Sequence, residues 1–293
     1  MMQRTSRAMV MGAIVASLCL LAAGPAAIGV AVGAQTSKVQ VGYCVGLKGM
    51  ADAKAAGFDY IELGTSELTA LSDEDFDKAA KDIHDLGLPT PVTNLFLPGT
   101  IRLTGPVIDK DQQMAYVRKA FARLERIGVG TVVFGSGGSR RVPAGFPKEE
   151  AFAQLVDFGK RIAVEARAHG ITVAVEPLRS QESNIINTAR EGLALVNAIG
   201  DPNFQLMIDF YHLASEKEDP QIVIDAKDHI RHLHTANPTG RVFPLKWEEF
   251  DYAPFFANLR KIGYNRRISV EASTKDLPVE APLAIALLRK AFE

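Results

Sequence analysis

A repeated pattern of polar and apolar positions runs along the chain from about residue 39 to its end. An amphipathic helical segment is followed by a glycine and then by a short apolar strand, as in RIGVGTVVF around Gly128 and AHGITVAVE around Gly170. Glycine at this place ends a helix because it adopts the left-handed conformation that other residues resist. The same unit recurs at Gly57, Gly87, Gly200 and Gly263. The pattern therefore predicts helices that alternate with strands.

Counting the repeats predicts eight strands. The wide interval between Gly200 and Gly263 contains the apolar segment HIRHLHTA, and VQVGYCV supplies the first strand. The predicted strands lie near 39–45, 58–63, 90–94, 130–135, 171–176, 204–209, 230–235 and 267–272, with a last helix at 281–292. Strands alternating with helices form a parallel sheet, and eight units over roughly 250 residues fit a single (β/α)8 TIM barrel of the α/β class.

A doubly wound open sheet is the alternative, and the segment GSGGSRR at 135–141 bears on it. This segment follows a predicted strand, but its glycine spacing is not that of a dinucleotide-binding turn. Its backbone N–H groups, beside Arg140 and Arg141, could hold an anion. We favour a flexible turn with two solvated arginines, because the usual phosphate site of such barrels follows strands seven and eight.

The first 34 residues differ from the rest of the chain. Arg4 and Arg7 are their only charged residues, and residues 8–34 are small and apolar. This composition predicts a signal peptide cleaved after Ala34, so that residues 35–293 form the barrel domain in the periplasm or another extracytoplasmic space. An uncleaved membrane anchor that tethers the barrel is the alternative, because the apolar stretch is long.

Composition and charge exclude several classes of protein. With 47% hydrophobic residues the chain can bury a large core, which excludes a disordered protein. The formal net charge of −1 becomes −3 when Arg4 and Arg7 are removed with the leader, so no basic excess is available for a nucleic-acid partner. Cys19 lies in the leader, which leaves Cys44 without an internal disulfide partner; we predict a buried thiol there.

Polar residues collect where the last four strands end. Glu176 ends strand five, Asp209 ends strand six, His232 and His234 share one face of strand seven, and Glu271 lies near the end of strand eight. Each alone is compatible with a helix cap or an ion pair. Together, three carboxylates at one barrel mouth repel each other unless a cation offsets them. Three oxygen ligands and one imidazole suit Mn²⁺, Mg²⁺ or Co²⁺.

Four segments carry a resemblance to a known family. VEPLRSQESNIINTAREG (175–192), MIDFYH (207–212), HLHTANPTGRVFP (232–244) and SVEAS (269–273) resemble the xylose isomerase-like superfamily, in particular its sugar isomerase/epimerase branch with the D-tagatose and D-psicose 3-epimerases. The resemblance spans essentially the whole predicted barrel. It implies that one divalent metal ion, Mn²⁺ by preference, is bound by Glu176, Asp209, His234 and Glu271.

The resemblance also implies the reaction and the residues that contact substrate. Proton transfer next to a carbonyl, through a metal-stabilised enediolate, would use Glu176 and Glu271 as the acid/base pair. Glu182, His212 and Arg241 match the substrate-contacting positions. Because the chain is expected to be exported, an unphosphorylated keto-sugar or keto-glycoside is the expected substrate.

Other functions remain open on the same scaffold. A lyase or dehydratase that acts on a keto-sugar, keto-glycoside or inosose would use the same metal site. A catalytically silent sugar-binding barrel would be expected to lack a metal ligand, yet all four are present. DNA-repair members bind a three-zinc cluster with several additional histidines, but His84 and His169 fall in helical or helix-end segments here and the third predicted strand ends on Asn94 where such a cluster would want an imidazole. An oligomer is possible, since the helix faces show no clear interface.

Overall fold

Eight parallel strands close into a barrel in chain order in the computed structural model, which describes residues 39–293. The strand β1 pairs with both β2 and β8, which closes the barrel and confirms the predicted fold. The predicted leader at 1–34 lies outside the described residues. The strands are β1 (Gln40–Cys44), β2 (Tyr60–Gly64), β3 (Val92–Asn94), β4 (Thr131–Phe134), β5 (Thr172–Val175), β6 (Phe204–Asp209), β7 (Ile230–Thr235) and β8 (Arg267–Val270).

Helices surround this barrel on the outside. They are α1 (Met50–Ala55), α2 (Thr65–Ala70), α3 (Asp73–Leu86), α4 (Lys110–Arg126), α5 (Gly137–Arg140), α6 (Lys148–Ala168), α7 (Ala189–Ile199), α8 (Phe210–Ser215), α9 (Ile222–Asp225), α10 (Ala253–Lys261) and α11 (Leu277–Ala291). Single 3₁₀ turns lie at Leu47–Gly49 and Trp247–Glu249. None of the helices in the described range is long and apolar enough to cross a membrane.

The glycines of the sequence repeat lie where the pattern placed them. All six have a positive φ, and Gly87 (φ 64°) and Gly200 (φ 67°) directly follow the last residues of α3 and α7. The helix α11 begins at residue 277, whereas the sequence predicted a start at residue 281. The Asp276 side chain accepts a hydrogen bond from the Val279 N–H, and Pro278 suits the first helical turn, so the cap sets the earlier start.

The interior of the barrel has an apolar floor below a polar mouth. Five side chains fill its centre: Tyr60, Val92, Val133, Ala174 and Met207. Gly42 leaves the room that the Tyr60 ring occupies, since a Cβ at that position would lie 2.3 Å from the ring. Because alternate strand residues point inward, the next inward positions, toward the carboxyl ends of the strands, carry the polar side chains of the mouth.

Candidate metal centre and active site

Four polar side chains meet where β5 to β8 end. Glu176 directly follows β5, Asp209 is the last residue of β6, His234 lies near the end of β7, and Glu271 directly follows β8. One possible ligand atom from each lies within 4.8 Å of the others, and three of the four residues are buried. The structure therefore brings together the quartet that the sequence predicted.

The donor atoms of this quartet fit a single divalent cation. Three of them, Glu176 Oε1, Asp209 Oδ2 and His234 Nδ1, are buried and have no hydrogen-bond partner among the described residues. His234 Nδ1 lies 3.3 Å from Glu176 Oε1 and 3.4 Å from Glu271 Oε2. An unsatisfied buried polar atom costs about 1–3 kcal/mol, and one cation would satisfy all three. Carboxylate oxygens with one imidazole are ligands that suit Mn²⁺, Mg²⁺ or Co²⁺.

The electrostatics of the quartet also favour a cation. Burial raises the pKa of Glu176, and the charge of Glu271 adds to this effect. Burial, together with the charges of Glu176 and Glu271, raises the pKa of Asp209 to about 8. Burial would raise the pKa of Glu271 too, but His234 and Arg241 outweigh it and lower that pKa to about 2. Without a cation, Glu176 and Asp209 therefore favour their protonated forms, and a bound cation would take the place of those protons.

A buried hydrogen-bond network supports His234 from below. The carboxylate of Glu62, at the middle of β2, accepts hydrogen bonds from His234 Nε2 (2.9 Å), His232 Nε2 (2.9 Å) and Ser269 Oγ (2.5 Å). Tyr60 donates to Ser269 Oγ at 2.8 Å. The proton that His234 shares with Glu62 is therefore on Nε2, and Nδ1 is the nitrogen that faces the quartet. A carboxylate behind a metal-binding histidine fixes its ring orientation and tautomer in this way.

This network was missed by sequence reasoning as a functional feature. Glu62 is not among the residues that the sequence predicts for the site, and His232 was predicted only to share a face with His234. Burial alone would raise the pKa of Glu62, but His234 and His232 outweigh it and hold that pKa well below its usual range. One signal for this network was available in the sequence. Tyr60 and Glu62 are two residues apart on β2 and so share its inward face, and a carboxylate in an otherwise apolar strand needs buried partners.

Two local features aim the carboxylates. Asp209 caps α8: its Oδ1 accepts the Tyr211 N–H at 2.8 Å, which leaves Oδ2 directed into the quartet. Gly135, after β4, makes room for Glu176, since a Cβ there would lie 2.3 Å from Glu176 Oε2. The glycine-rich segment at 135–141 thus begins with a residue whose lack of a side chain permits the position of a quartet member.

The substitution Gly135→Ala should displace Glu176 and reduce turnover by about 10²-fold, the effect of misplacing a catalytic group by about 1 Å. Stability should change little, because the group that must move is the tip of a flexible side chain. Steady-state kinetics and thermal unfolding would measure both effects. Gly130→Ala is the matched control, since a Cβ there meets nothing within 4 Å. Full activity in Gly135→Ala would contradict this account of Gly135.

The three residues predicted to contact substrate also lie at the mouth. His212 Nδ1 accepts the Arg179 N–H at 3.2 Å, so its proton is on Nε2, which lies 3.6 Å from Asp209 Oδ2. Burial, reinforced by Arg241, lowers the pKa of His212 to about 3 and keeps it neutral. Arg241 lies 2.5 Å from Glu271 Oε2 and 3.6 Å from Glu182 Oε1. Each therefore presents polar atoms beside the quartet.

Tyr211 and Arg179 complete this side of the mouth, and neither was predicted as a site residue. Two guanidinium groups lie over the Tyr211 ring, that of Arg179 at 5.0 Å and that of Arg241 at 4.7 Å from the ring centroid. Arg179 Nε also lies 2.6 Å from Glu182 Oε1. The cation–π contact with Tyr211 helps to hold the Arg241 side chain, whose backbone adopts a left-handed φ of 51°.

The prediction of a flexible turn with two solvated arginines at 135–141 was wrong for Arg140, whereas Arg141 is exposed as predicted. Residues Gly137–Arg140 form a short helical turn, and Arg140 is fully buried. Its guanidinium donates to the backbone carbonyls of Phe134 (3.2 Å), Glu176 (2.8 Å) and Ile186 (3.3 Å). Arg140 is therefore held inside the protein by hydrogen bonds to carbonyls, two of which belong to segments that are distant in the chain and that only the tertiary structure brings near it.

Cys44 agrees with its prediction in part. It is a free cysteine, as expected, but it is only partly buried, because the end of β1 opens onto the mouth of the barrel. Its Sγ lies 3.8 Å from His234 Nε2. Burial, with the nearby charge of Glu62, raises the pKa of this thiol well above its usual value. The thiol is therefore neutral at neutral pH and is a poor nucleophile.

Addition of Mn²⁺, Mg²⁺ or Co²⁺ to the metal-free protein should raise its melting temperature. An ion at 100 times its Kd stabilises the fold by about 2.7 kcal/mol, or about 5–10 °C in a domain of this size. The apparent affinity should rise with pH, because binding displaces protons from the quartet. Asp209→Asn should lower the shift. A melting temperature unchanged by all three ions would contradict the metal site.

The closed (β/α)8 barrel and the carboxylate–imidazole quartet at its mouth place this protein among TIM-barrel proteins with a candidate site for a divalent cation. Residues 50–291 match the family model described as "Xylose isomerase-like TIM barrel". The chain belongs to this family, as its motifs indicated.

Three relatives illustrate the similarity. The chain is 28% identical over 236 residues to L-ribulose 3-epimerase of Mesorhizobium japonicum, which covers 78% of this chain and 75% of that protein. A structure of D-psicose 3-epimerase with D-tagatose from Clostridium cellulolyticum H10 has a TM-score of 0.75 at 21% identity, covering 87% of this chain and all of the other. That of 3-keto-D-glucoside 4-epimerase from E. coli has a TM-score of 0.72 at 20% identity, covering 86% and 100%. The two structures support the fold.

Proposed function

We propose that this protein is a divalent-metal-dependent sugar isomerase that epimerises a keto-sugar by proton transfer next to the carbonyl. The observation that carries the proposal is the pair Glu176 and Glu271, which end different strands and have carboxylate oxygens within 4.8 Å of each other. One carboxylate can remove a proton from one face of a carbon while the other returns a proton to the opposite face. The names of the relatives, L-ribulose 3-epimerase and D-psicose 3-epimerase, support this class of reaction.

The residues of the mouth take distinct parts in this reaction. When bound, the metal ion supplies a Lewis acid that stabilises the negative charge developing on the sugar oxygens. Glu176 and Glu271 move the carbon-bound proton. His212 donates from Nε2 and Arg241 from its guanidinium to sugar oxygens beside the quartet. Glu182 holds Arg241 in place from the side away from Glu271.

Metal identity and substrate charge extend the proposal. Mn²⁺ is the preferred ion, with Mg²⁺ and Co²⁺ as alternatives, because all four ligands are carboxylate or imidazole groups. An unphosphorylated sugar is the substrate, since Arg241 at the mouth is already paired with Glu271 and Glu182 and offers no free charge to a phosphate.

Export of the protein is a separate proposal that rests on residues 1–34. Arg4, Arg7 and the uncharged run that follows have the composition of a signal peptide. Fractionation of cells and the intact mass of the purified protein would test it. If the protein in the extracytoplasmic fraction has the mass of a chain that begins at Gln35, cleavage is supported. A full-length protein in the membrane fraction would favour the anchor.

Incubation with a panel of keto-sugars in heavy water, followed by NMR, tests the proposed reaction. Epimerisation by proton transfer should place deuterium on the carbon next to the carbonyl of the product. Product formed without solvent deuterium would indicate a hydride shift and contradict the proposal. Product that has lost water or a leaving group would indicate the lyase or dehydratase reaction. No turnover with Mn²⁺, Mg²⁺ or Co²⁺ would favour a sugar-binding barrel.

A further inference from the structure

The cleft above the quartet has two lobes. We call the first the strand-four lobe; it has a volume of about 340 Å³ and is lined by the Gly135–Gly138 segment, Glu176 and Glu182. We call the second the strand-one lobe; it has about 460 Å³ and is lined by the ends of β1, β2 and β8. The two lobes share Asn94, Leu95, Arg241 and Glu271. Both therefore open directly off the proposed reacting position.

Each lobe alone is large enough for a ligand. Pockets that bind small molecules have volumes of roughly 300–1,000 Å³, and each lobe falls within that range. The strand-four lobe contains Glu176 and Glu182, which the proposed reaction uses. The strand-one lobe contains one quartet member, the shared Glu271, and is lined largely by groups that the reaction does not use. If a single sugar ring were bound at the quartet, one of the two lobes would contain only water.

The strand-one lobe has the chemistry of a site for a neutral, hydroxylated group. Its walls include Gly46 and Gly64, which have no side chain to fill the space. Glu67 accepts the Leu47 N–H at 3.4 Å, and a carboxylate has further capacity to accept sugar hydroxyl donors. Among the described residues that line this lobe, Arg241 is the cationic one, and Glu271 already pairs with it. An anionic group in this lobe would be repelled by the Glu67 carboxylate, and within residues 39–293 no unpaired cationic side chain lines the lobe to offset that repulsion.

Leu95 forms a ridge between the lobes. Its backbone has a left-handed φ of 48°, which is strained for a residue with a branched side chain. Its side chain is 61% exposed, although it is apolar and lies at the mouth of the cleft. Strained backbone is typical of ligand clamps, and an apolar sugar face placed on Leu95 would remove this side chain from water.

We propose that the substrate of this protein carries a second, neutral ring, which binds in the strand-one lobe, so that the substrate class is a keto-glycoside of disaccharide size. The inference rests on the proposed function and specifies its substrate. The reacting ring binds beside the quartet, the linked ring lies in the strand-one lobe, and Leu95 packs against the substrate between them. Glu67 accepts hydrogen bonds from hydroxyls of the second ring.

A matched set of substrates tests the inference on the unmodified protein. The set consists of 3-keto-D-glucose, its methyl glycoside and a disaccharide with the same 3-keto-glucosyl ring, each assayed with Mn²⁺ by deuterium incorporation in heavy water. The expected result is a kcat/KM for the disaccharide at least about tenfold above that for the methyl glycoside, since tenfold corresponds to about 1.4 kcal/mol of additional binding. Equal or lower kcat/KM for the disaccharide would overturn the inference while leaving the proposed function intact. No deuterium in any of the three sugars or in a free ketose would overturn both.

The substitution Gly46→Leu tests the place of the second ring. Gly46 has a φ of −79°, which leucine adopts without strain. It lines the lobe, and a Cβ there would be in ordinary van der Waals contact with Glu67 Oε2, at 3.5 Å. Filling the lobe should reduce the ratio of kcat/KM for disaccharide over methyl glycoside by at least about tenfold. Gly130→Leu, at the opposite end of the barrel, is the matched control and should keep the ratio. An unchanged ratio in folded Gly46→Leu would overturn the assignment of the lobe.

Discussion

Replacing Glu176 or Glu271 by glutamine is expected to lower turnover by about 10²–10⁴-fold, the usual contribution of a general acid or base. Glutamine keeps the size of the side chain and one ligand oxygen, but it does not accept or return a proton. Both variants should fold, since the two carboxylates contribute to repulsion within the quartet. Turnover would be measured at metal concentrations that saturate each variant, which separates loss of proton transfer from loss of the ion.

Deuterium exchange separates the two carboxylates. If each serves one face of the reacting carbon, the variant that lacks one carboxylate should still exchange the proton of one epimer and not that of the other. Exchange with each epimer in heavy water would be followed by NMR. Glu125→Gln is the matched control, because Glu125 is an exposed carboxylate that pairs with His169 away from the mouth. Full turnover in both Glu176→Gln and Glu271→Gln would disprove the acid/base assignment.

Glu62→Gln is expected to weaken binding of the metal ion by about 10–100-fold, although Glu62 does not belong to the quartet. The carboxylate accepts three hydrogen bonds at once, from His234, His232 and Ser269. A glutamine amide presents one acceptor oxygen and an NH₂ group, so at least one buried donor faces another donor. His234 then loses the partner that orients its ring and holds the proton on Nε2.

Calorimetric titration of the metal-free protein with Mn²⁺ would measure this effect without reference to activity. Nitrogen NMR of the histidine rings in the loaded protein would report the tautomer of His234 directly. Ser269→Ala is the comparison, since it removes one donor and leaves both imidazoles paired with Glu62; a decrease smaller than that of Glu62→Gln is expected. An unchanged affinity in Glu62→Gln would show that Glu62 only fills the barrel interior.

Local patterns in the sequence were sufficient for the barrel and the quartet. The glycines after each helix lie in the left-handed region because helix termination is a property of neighbouring residues. Glu176, Asp209 and Glu271 were found, together with the pair His232 and His234, because each lies toward the carboxyl end of its strand; the family resemblance then selected His234. In a parallel barrel these ends necessarily meet on one face. The predicted role of the quartet follows from chemistry that its residue types already specify.

Other features depend on contacts between segments far apart in the chain. Glu62 meets His232 and His234 across 170 and 172 residues, and only closure of the barrel brings β2 near β7. Arg140 was predicted to be solvated because nothing next to it in the chain shows that the carbonyls of Glu176 and Ile186 will lie within reach of its guanidinium. The sequence around Leu95 likewise does not indicate its left-handed backbone, since its neighbours predict an ordinary loop.

The sequence by itself determined the order of strands and helices, the end of the barrel that carries chemistry and the residue types available there. Those properties follow from periodicity and from helix-ending glycines, which act over a few residues. Only the tertiary structure decided which nitrogen of His234 faces the quartet, how Gly135 and Asp209 aim the carboxylates, and that the cleft divides at Leu95. These depend on distances of a few ångströms between strands, which are set by packing of the whole barrel and not by any one segment.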